Sequence, residues 1–378
     1  MLKPSCLIFQ GHEQTDINLI SNTLPQLGTG NLDMTSTTQQ YIQFIEFITD
    51  DFESIRHTME QLGVNLVASH RFKKIYLFEA NHVALVVNCE MQEYAKKHFE
   101  SHGSSILGVG LVLNEPEKVL ETALYTGYQT QNSVNSLSGL SMPSIQGEGG
   151  VLTYAFSPEQ WTAMMQEEFD YTPNQPQEGA TIKSIDHIAI NVKKGQLEKW
   201  RYFYEVVLNL KETSNFIIDG KKTSFRCNPL GSECGNIRVV LNEDFEDGSQ
   251  ISEYIKVNNG PGVQHIAFDT TDIYHAIESR KHSQVRFMTT PDTYYNLIDK
   301  RIKHHGEDLE RMRKNHILID NDKMNQDKIL LQIFTDTMIG PIFFEFIQRK
   351  GNNGFGEGNV KTLFEAVEID QMERGVLA

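Results

Sequence analysis

Three polar residues interrupt apolar strands in the second half of the chain. His187 lies in IDHIAI, His265 in VQHIAF and Glu345 in PIFFEFIQ. An ionised carboxylate inside an apolar run is costly unless it is paired or bound to a cation. Two imidazoles and one carboxylate that leave coordination positions open form the facial triad of non-haem Fe(II) oxygenases. The three residues together therefore predict an Fe(II) site that can hold a chelating substrate and O2.

Each of these residues alone has a simpler interpretation. The chain has 13 histidines, and most strand histidines are ordinary core or surface groups. Glu345 could pair with a cation such as Arg349. The metal is favoured by position, because the three residues fall at equivalent points of successive repeats. Side chains alternate along a strand, so each of the three shares a face with apolar neighbours two residues away.

The elements that must position these residues follow a repeated order of strand, helix and strands, twice in each half. In the first half we predict strands 41–48, 74–78, 83–87, 106–113 and 151–156, with helices 51–62 and 117–126. In the second half we predict strands 185–192, 223–226, 237–241, 263–268, 317–320, 329–334 and 341–348, with helices 197–208, 272–280 and 359–374.

The length of 378 residues suits two domains, because one core rarely grows beyond about 250–300 residues. Residues 1–40 are polar and predict an irregular N-terminal arm. We expect a first domain over 41–170, a second over 181–378, and a linker over 171–180, where two prolines fall among polar residues.

Composition excludes several classes of partner. A net charge of −16 does not suit nonspecific binding to nucleic acid or to anionic membranes. The four cysteines form no CxxC pair, which fits a reducing compartment. The apolar run at 6–9 is too short for a signal peptide, and no stretch has the length of a membrane span. We therefore expect a cytoplasmic protein with no nucleic-acid or membrane partner.

Several longer stretches are more specific than any single residue. They are GPGVQHIAF (260–268), TPDTYY (290–295), LLQIFTD (330–336), GPIFFEFIQRKG (340–351) and GFGEGN (354–359). Through them, residues 182–376 closely resemble the 4-hydroxyphenylpyruvate dioxygenase family of the vicinal-oxygen-chelate superfamily. The first half matches more weakly, through QFIEF (43–47), VGLVL (109–113) and MPSIQGEGG (142–150).

The resemblance implies an α+β fold with two tandem vicinal-oxygen-chelate domains. Each domain would pair two βαβββ modules into a half-open β-barrel with outer helices. The first would be a degenerate copy without ligands, with Gly110 where the repeat would place a histidine. The helix over 359–374 would close over the site of the second.

The resemblance also implies roles for residues of the site. His187, His265 and Glu345 would bind Fe(II), and Gln332 and Asn242 would act in catalysis. The remaining pocket positions would contact substrate, and they are Cys227, Gln250, Gln264, Phe334, Phe343, Phe355, Asn359, Val360 and Leu363. Alternation along the strand would point Gln264 away from His265, unless the strand begins irregularly.

The implied activity is conversion of 4-hydroxyphenylpyruvate and O2 to homogentisate and CO2, a step of tyrosine catabolism that also feeds pyomelanin. Three residues depart from the family's pattern: Cys227 replaces Ser, Val240 replaces Pro and Val360 replaces Phe. These changes alter the part of the pocket that grips the ring, because a thiol is a weak hydrogen-bond donor and Val is smaller than Phe.

The alternatives are therefore hydroxymandelate synthesis, oxidation of another aryl or alkyl 2-oxo acid, and sequestration of a ligand without catalysis. Asn242 and Phe334 favour the ring-hydroxylating reaction. The partners we expect are an aryl 2-oxo acid, O2 and further copies of the chain in a homodimer or homotetramer.

Overall fold

The computed structural model describes residues 40–132, 136–172, 181–281, 283–322, 324–362, 364, 372 and 375. Most of the predicted arm and linker, and most of the final helix beyond 364, lie outside these residues. Among the residues described, no helix is both long and apolar enough to cross a membrane.

The first half forms one mixed sheet of nine strands among the described residues, in the order β6-β7-β8-β5-β1-β4-β3-β2-β9. The strands are β1 (Tyr41–Ile48), β2 (Asn65–His70), β3 (Ile75–Ala80), β4 (Val83–Asn88), β5 (Ser105–Val112), β6 (Thr130–Gln131), β7 (Ser144–Gln146), β8 (Leu152–Phe156) and β9 (Phe169–Tyr171). The helices are α1 (Phe52–Gln61), α2 (Glu93–His102), α3 (Pro116–Tyr125) and α4 (Pro158–Glu168), with a short 3-10 turn at Glu148–Gly150.

The second half forms another sheet of nine described strands, in the order β11-β13-β14-β10-β15-β18-β17-β16, with β12 paired to β13. The strands are β10 (Ile182–Val192), β11 (Lys211–Glu212), β12 (Phe216–Asp219), β13 (Ser224–Gly231), β14 (Arg238–Asp244), β15 (Gly262–Thr270), β16 (Leu318–Asn321), β17 (Ile329–Phe334) and β18 (Phe343–Lys350).

Short helices connect the strands of the second half. They are α5 (Leu197–Tyr202), α6 (Gln250–Val257), α7 (Ile273–Glu278), α8 (Asp292–Tyr295), α9 (Ile298–Arg301) and α10 (Leu309–Lys314). A π-helical turn at Phe203–Val207 continues α5. The final helix is described at 357–362 and 364, and begins two residues before the predicted Asn359. Its earlier start is supported by Asp320, whose carboxylate accepts from the Gly358 N–H at 3.0 Å.

The two sheets repeat one pattern of strand directions. β1 runs parallel to β4 and antiparallel to β5, which is parallel to β8. In the second sheet, β10, β14, β15 and β18 have the same relationships. The fold that the resemblance implies is therefore confirmed, with each curled sheet forming a half-barrel and helices outside.

The two halves share an apolar core. One cluster of buried side chains contains residues of both sheets, among them Phe47 and Leu85 with Ile188 and Phe268. Hydrogen bonds also join the halves: His82 N–H donates to the Lys183 carbonyl at 3.1 Å. The predicted division at 171–180 stays a prediction, although β9 already occupies residue 171.

Sequence periodicity missed several elements of both halves. They include β2, α2, α4 and α6. In α6 the Ser249 hydroxyl accepts from the Ser252 N–H at 3.2 Å, which makes Gln250 the first helical residue.

Candidate metal centre

The three predicted ligands lie on adjacent strands at the middle of the second sheet. His187 on β10 is level with Ala267 on β15, and Ala267 is level with Glu345 on β18. His265 is level with Ala189, one same-face position along. Because the intervening residues are alanines, the three long side chains meet above the sheet without obstruction.

The ligand atoms converge on one point. His187 Nε2 lies 3.3 Å from Glu345 Oε2, and His265 Nε2 lies 3.5 Å from the same oxygen. One ligand atom from each residue lies within 4.8 Å of the other two. These separations suit atoms bound to one ion through bonds of about 2.1 Å. The donor set of two nitrogens and one oxygen fits Fe(II) as well as other divalent metals.

Glu345 is not paired with Arg349, so the simpler interpretation of this carboxylate is wrong. It is 1% exposed, and its described polar contacts are the two histidines and Gln332. Gln332 Nε2 donates to Glu345 Oε1 at 2.8 Å, which leaves Oε2 facing the histidines. A buried carboxylate without a Lys or Arg partner is stabilised by a bound cation.

Asp186 holds His187 in its orientation. The His187 Nδ1–H donates to Asp186 Oδ1 at 2.8 Å, which presents Nε2 to the centre. Arg349 donates to both oxygens of Asp186, at 2.7 and 2.8 Å, and Arg238 donates at 3.2 Å. Burial favours the neutral acid, but Arg349 outweighs it and holds the pKa of Asp186 well below its usual range. Carboxylates that orient a metal-bound histidine in this way are common in metal sites.

The charges on the two histidines differ when no metal is bound. Burial opposes protonation of His187, but Glu345 and Asp186 raise its pKa to about 9. Burial and the charge on His187 hold the pKa of His265 well below its usual range. One proton on His187 therefore supplies the positive charge that Glu345 requires, and a divalent cation would replace it.

A cavity of about 580 Å³ between atoms, its opening to solvent included, adjoins the triad. It is lined by His187, Asn191, Phe225, Cys227, Val240, Asn242, Gln250, Ile251, Gln264, His265, Gln332, Phe334, Phe343, Glu345, Phe355 and Val360. The lining is mostly apolar, with amides as its uncharged polar groups. Apolar side chains with a few polar groups are a lining that suits a small aromatic ligand.

Gln264 and His265 both reach this cavity although they are adjacent. The register shows why: His265 pairs with Ala189 but Val263 pairs with Ile190, so Gln264 is the extra residue of a β-bulge. A bulge lets two consecutive side chains lie on one face of a strand. The strand is therefore irregular at this point. Such an irregularity is the condition under which Gln264 and His265 could share one face.

Two asparagines leave hydrogen-bonding atoms unpaired inside the cavity. Asn242 Nδ2 donates to Asn191 Oδ1 at 3.4 Å. Asn242 Oδ1 and Asn191 Nδ2 are buried without a hydrogen-bond partner among the described residues. If both side-chain amides were rotated by 180°, one N–H donor and one carbonyl acceptor would still have no partner. A hydroxyl group of a ligand can satisfy both.

The residues that differ from the family's pattern lie together on the apolar side of the cavity. Cys227 is level with Asn242 on the neighbouring strand, and Val240 and Val360 pack in the same cluster. Burial raises the pKa of the Cys227 thiol, which therefore stays protonated. Asn359 is not among the residues that line the cavity, and its Nδ2 donates to Gln332 Oε1 at 2.9 Å. Leu363 lies outside the described residues.

Asp186, Arg349 and Asn191 are part of the site, and sequence reasoning did not select them. Asp186 directly precedes a predicted ligand, and Asn191 shares the face of His187 on β10. Both signals were available in the sequence. Arg349 could not be placed from the sequence, because its position depends on the strand order, in which β15 lies between β10 and β18.

The first half has no counterpart of the triad among its described residues. Matching bulges align β1 with β10 and β5 with β15. The positions equivalent to His187, His265 and Glu345 are occupied by Phe44, Gly108 and Tyr154. The expectation that Gly110 replaces a histidine is wrong by one same-face position, because Gly110 is level with Phe44 and so corresponds to Ala267.

Two half-barrels of glyoxalase type, one of them with a buried pair of histidines and a glutamate that could hold a metal ion, define a member of the vicinal-oxygen-chelate superfamily. Residues 36–165 match the profile described as "Hydroxyphenylpyruvate dioxygenase, HPPD, N-terminal". Residues 184–297 match that of the "Glyoxalase/Bleomycin resistance protein/Dioxygenase superfamily".

Similar proteins agree with these matches. The chain is 39% identical to a 4-hydroxyphenylpyruvate dioxygenase of Pseudomonas aeruginosa, over 89% of this chain and 95% of the relative. It is also 39% identical to Hemolysin VllY of Vibrio vulnificus, over 89% of this chain and 96% of the relative. The chain therefore belongs to the 4-hydroxyphenylpyruvate dioxygenase family.

Solved structures share the fold. A xylose isomerase-like TIM barrel/4-hydroxyphenylpyruvate dioxygenase fusion protein superposes with a TM-score of 0.76 at 25% identity, over 88% of this chain and 52% of that one. A triple mutant of 4-hydroxymandelate synthase from Streptomyces coelicolor superposes with a TM-score of 0.73 at 24% identity, over 88% of this chain and 99% of that one. The second likeness supports the fold alone.

Proposed function

We propose that this protein is an Fe(II)-dependent dioxygenase that converts 4-hydroxyphenylpyruvate and O2 to homogentisate and CO2. The observation that carries the proposal is the buried triad of His187, His265 and Glu345 at the end of an apolar pocket. Family membership supports the same reaction. The reaction is a step of tyrosine catabolism, and its product is a precursor of brown pigment.

Iron would be held by the Nε2 atoms of both histidines and by Glu345 Oε2. When bound, the metal would supply chelation of the 2-oxo acid and activation of O2. Asp186 would fix the tautomer of His187 through the Nδ1–H bond of 2.8 Å. Gln332 would keep Glu345 from rotating by its bond of 2.8 Å to Oε1.

The pocket would aim the aromatic ring and exclude water. Phe334 and Phe343 pack around His265, with ring centroids 6.3 and 4.7 Å from the imidazole. Phe355 lies 5.6 Å from the His187 ring. These three rings form an apolar wall beside the candidate ligands, while Asn242, Gln250 and Gln264 provide polar groups in the same pocket. Holding the reacting carbon in one orientation is what fixes the product.

The decisive experiment gives anaerobically Fe(II)-loaded protein 4-hydroxyphenylpyruvate and O2, and identifies the product by mass and chromatography. We expect homogentisate, with O2 uptake that requires iron. Glu345→Ala should abolish both iron binding and O2 uptake. Glu46→Gln alters a buried carboxylate in the other half of the chain and is the matched control, which should retain both.

Each other outcome has a defined meaning. Hydroxymandelate as the product would keep the iron site and overturn the regiochemistry. Bound iron without turnover would mean that Cys227, Val240 and Val360 shape the pocket for another 2-oxo acid. Absence of iron in the loaded protein would contradict the triad, and a protein that binds the 2-oxo acid without O2 uptake would be a sequestering protein.

We also infer a cytoplasmic location and a homodimer or homotetramer. Cys89, Cys227 and Cys234 are free thiols, which suits a reducing compartment. Closed symmetric assemblies are the usual state of soluble homo-oligomers. Sedimentation at several concentrations would determine the number of copies.

A further inference from the structure

The stretch TPDTYY at 290–295 is one of those that resemble the family, but none of its residues has a role in the proposed mechanism. It contains all of α8, and it contributes the buried side chain of Tyr294. Tyr294 does not line the cavity, and its hydroxyl instead lies 2.9 Å from Asn359 Oδ1 in the first turn of the final helix. This contact connects a segment remote from the metal to the helix that borders the pocket.

Asn359 continues the connection to the metal centre. Its Nδ2 donates to Gln332 Oε1 at 2.9 Å, and Gln332 Nε2 donates to Glu345 Oε1 at 2.8 Å. Tyr294, Asn359, Gln332 and Glu345 thus form one line of hydrogen bonds, which we call the Tyr294 chain. All four side chains are buried, with Asn359 at 0% and Tyr294 at 9% exposure. Water therefore does not readily replace a missing member.

The direction of every hydrogen bond in the Tyr294 chain follows from the Glu345 carboxylate at its end. An ionised carboxylate only accepts, so Gln332 must present its NH2 group to Glu345 and its oxygen to Asn359. Asn359 must then present its NH2 group to Gln332 and its oxygen to Tyr294. The tyrosine hydroxyl is thus required to donate, and a phenylalanine in its place would leave Asn359 Oδ1 buried without a donor.

The surroundings of Tyr294 direct its proton to Asn359. The hydroxyl oxygen accepts from Ile319 N–H at 2.8 Å and from Arg301 Nη2 at 2.9 Å. The Ile319 carbonyl also lies 2.9 Å from the hydroxyl and competes for its proton, but this carbonyl already accepts from Arg301. Among the described residues, Asn359 Oδ1 has no other donor, so donation of the single hydroxyl proton to Asn359 leaves neither acceptor unsatisfied. Two donors on the oxygen also strengthen the bond that the hydroxyl donates.

The backbone of the final helix is attached at the same place. Gly358 N–H donates to Asp320 Oδ2 at 3.0 Å. Asp320 is next to Ile319 on β16, the strand that bonds to Tyr294. The first turn of the helix is therefore held by two adjacent contacts, and one of them continues to Glu345.

We propose that Tyr294 is a positioning residue: through Asn359 and Gln332 it holds the Glu345 carboxylate, and it fixes the first turn of the final helix beside the pocket. This inference rests on the proposed function only through the metal at Glu345. The segment 290–295 thereby couples the position of the helix to the strength of metal binding, although it touches neither metal nor substrate.

The test compares Tyr294→Phe with Tyr295→Phe. Each loses one hydroxyl from a buried ring, but the Tyr295 hydroxyl is not part of the Tyr294 chain. In metal-free protein, we expect Tyr294→Phe to speed amide hydrogen exchange at 357–362 by about tenfold or more. In anaerobic titrations with Fe(II), we expect its affinity to fall by about tenfold. Tyr295→Phe should match the unaltered protein in both.

The variant Asn359→Ala separates positioning from general destabilisation. If Tyr294 acts through Asn359, Tyr294→Phe should have little further effect on Fe(II) affinity in the Asn359→Ala background. Equal effects in both backgrounds, or a Tyr294→Phe variant that behaves as Tyr295→Phe does, would overturn the proposal. If Tyr294→Phe fails to fold, Asn359→Ala alone decides, because unchanged Fe(II) affinity in that variant contradicts the chain. An unaltered protein that binds no Fe(II) would refute the proposed function, while hydrogen exchange would still test the attachment of the helix.

Discussion

Asp186 shows how one residue outside the ligand set can control a ligand. Its carboxylate accepts from His187 and from Arg349, and it is 5% exposed. Replacing it with asparagine keeps the shape but allows the amide to donate, which permits the wrong tautomer of His187. It also leaves the buried charge of Arg349 without its carboxylate partner.

We therefore expect Asp186→Asn to weaken Fe(II) binding by about 10- to 100-fold. Anaerobic titration of the metal-free variant measures this directly. Asp269→Asn is the control, since Asp269 pairs with the exposed Lys183 rather than with a histidine. Similar losses in both variants would show that the effect is one of stability.

Asn191 gives a second prediction at the scale of a residue, concerning selectivity. Its unpaired Nδ2 and the unpaired Oδ1 of Asn242 match a hydroxyl on the substrate ring. Asn191 lies two same-face positions beyond His187 on β10, about 13 Å along the strand. It is therefore placed to contact the end of the substrate remote from the metal.

We expect Asn191→Leu to reduce the preference for 4-hydroxyphenylpyruvate over phenylpyruvate by about 10- to 100-fold, the usual effect of one buried hydrogen bond. The ratio of anaerobic dissociation constants for the two acids measures it. Phenylpyruvate is the internal control, because it lacks the hydroxyl and its affinity should change little. A constant ratio would mean that the pair binds water rather than the ring hydroxyl.

At the scale of elements, the loop between β18 and the final helix is shaped by Gly356. It has a φ of +68°, and a Cβ at this position would lie 2.1 Å from Gln332 Oε1. Only glycine combines that backbone conformation with such a close approach. The loop can therefore bring Phe355 to the pocket without displacing the glutamine that holds Glu345.

Gly356→Ala should consequently lose both stability and activity. The positive φ costs about 1 kcal/mol of unfolding free energy, and the displaced Gln332 should reduce kcat/KM by tenfold or more. Gly351→Ala is a matched control: its φ is also positive, at +83°, but its Cβ would meet only the flexible Lys328 side chain at 3.2 Å. Equal activity losses in both variants would exclude a role for the Gln332 contact.

Elements and ligands differ in how far the sequence predicts them. The sequence indicates the three candidate ligands because polar residues are conspicuous in long apolar strands. They are His187, His265 and Glu345. The bulge at Gln264 could not be predicted, because it depends on how β15 pairs with β10. The same register decides which glycine of β5 replaces a histidine. Pairing between distant strands is a tertiary property, and local periodicity does not contain it.

At the scale of the whole molecule, side chains occupy the part of the first half-barrel that corresponds to the candidate metal centre of the second. Tyr154, which occupies the position of Glu345, donates its hydroxyl to the buried carboxylate of Glu46. Asn88 Nδ2 donates to the other oxygen of Glu46 at 2.7 Å. A closed polar cluster thus stands where the second half has its candidate metal ligands, and the first half contributes side chains to the shared core.

This cluster makes the stability of the molecule depend on pH. Burial raises the pKa of Glu46 to about 7 from 4.5, against the hydrogen bonds from Tyr154 and Asn88. The folded protein therefore holds a proton that the unfolded chain releases at lower pH. The stabilising contribution is complete below pH 4.5 and is lost as the pH rises toward 7, by about 3 kcal/mol in total.

Glu46→Gln should remove this dependence, because the amide stays neutral. Its oxygen can accept from Asn88, and its NH2 can donate to Tyr154, whose hydroxyl then donates to Ser138 at 2.7 Å. We expect the variant to be no more stable than the unaltered protein at pH 5 and more stable by a few kcal/mol at pH 8. Urea unfolding of both proteins at the two pH values measures the difference, and subtracting them cancels the other titrating groups. Equal pH dependence in the two proteins would mean that Glu46 stays ionised when folded, and that its cluster is stabilised by charge rather than by a retained proton.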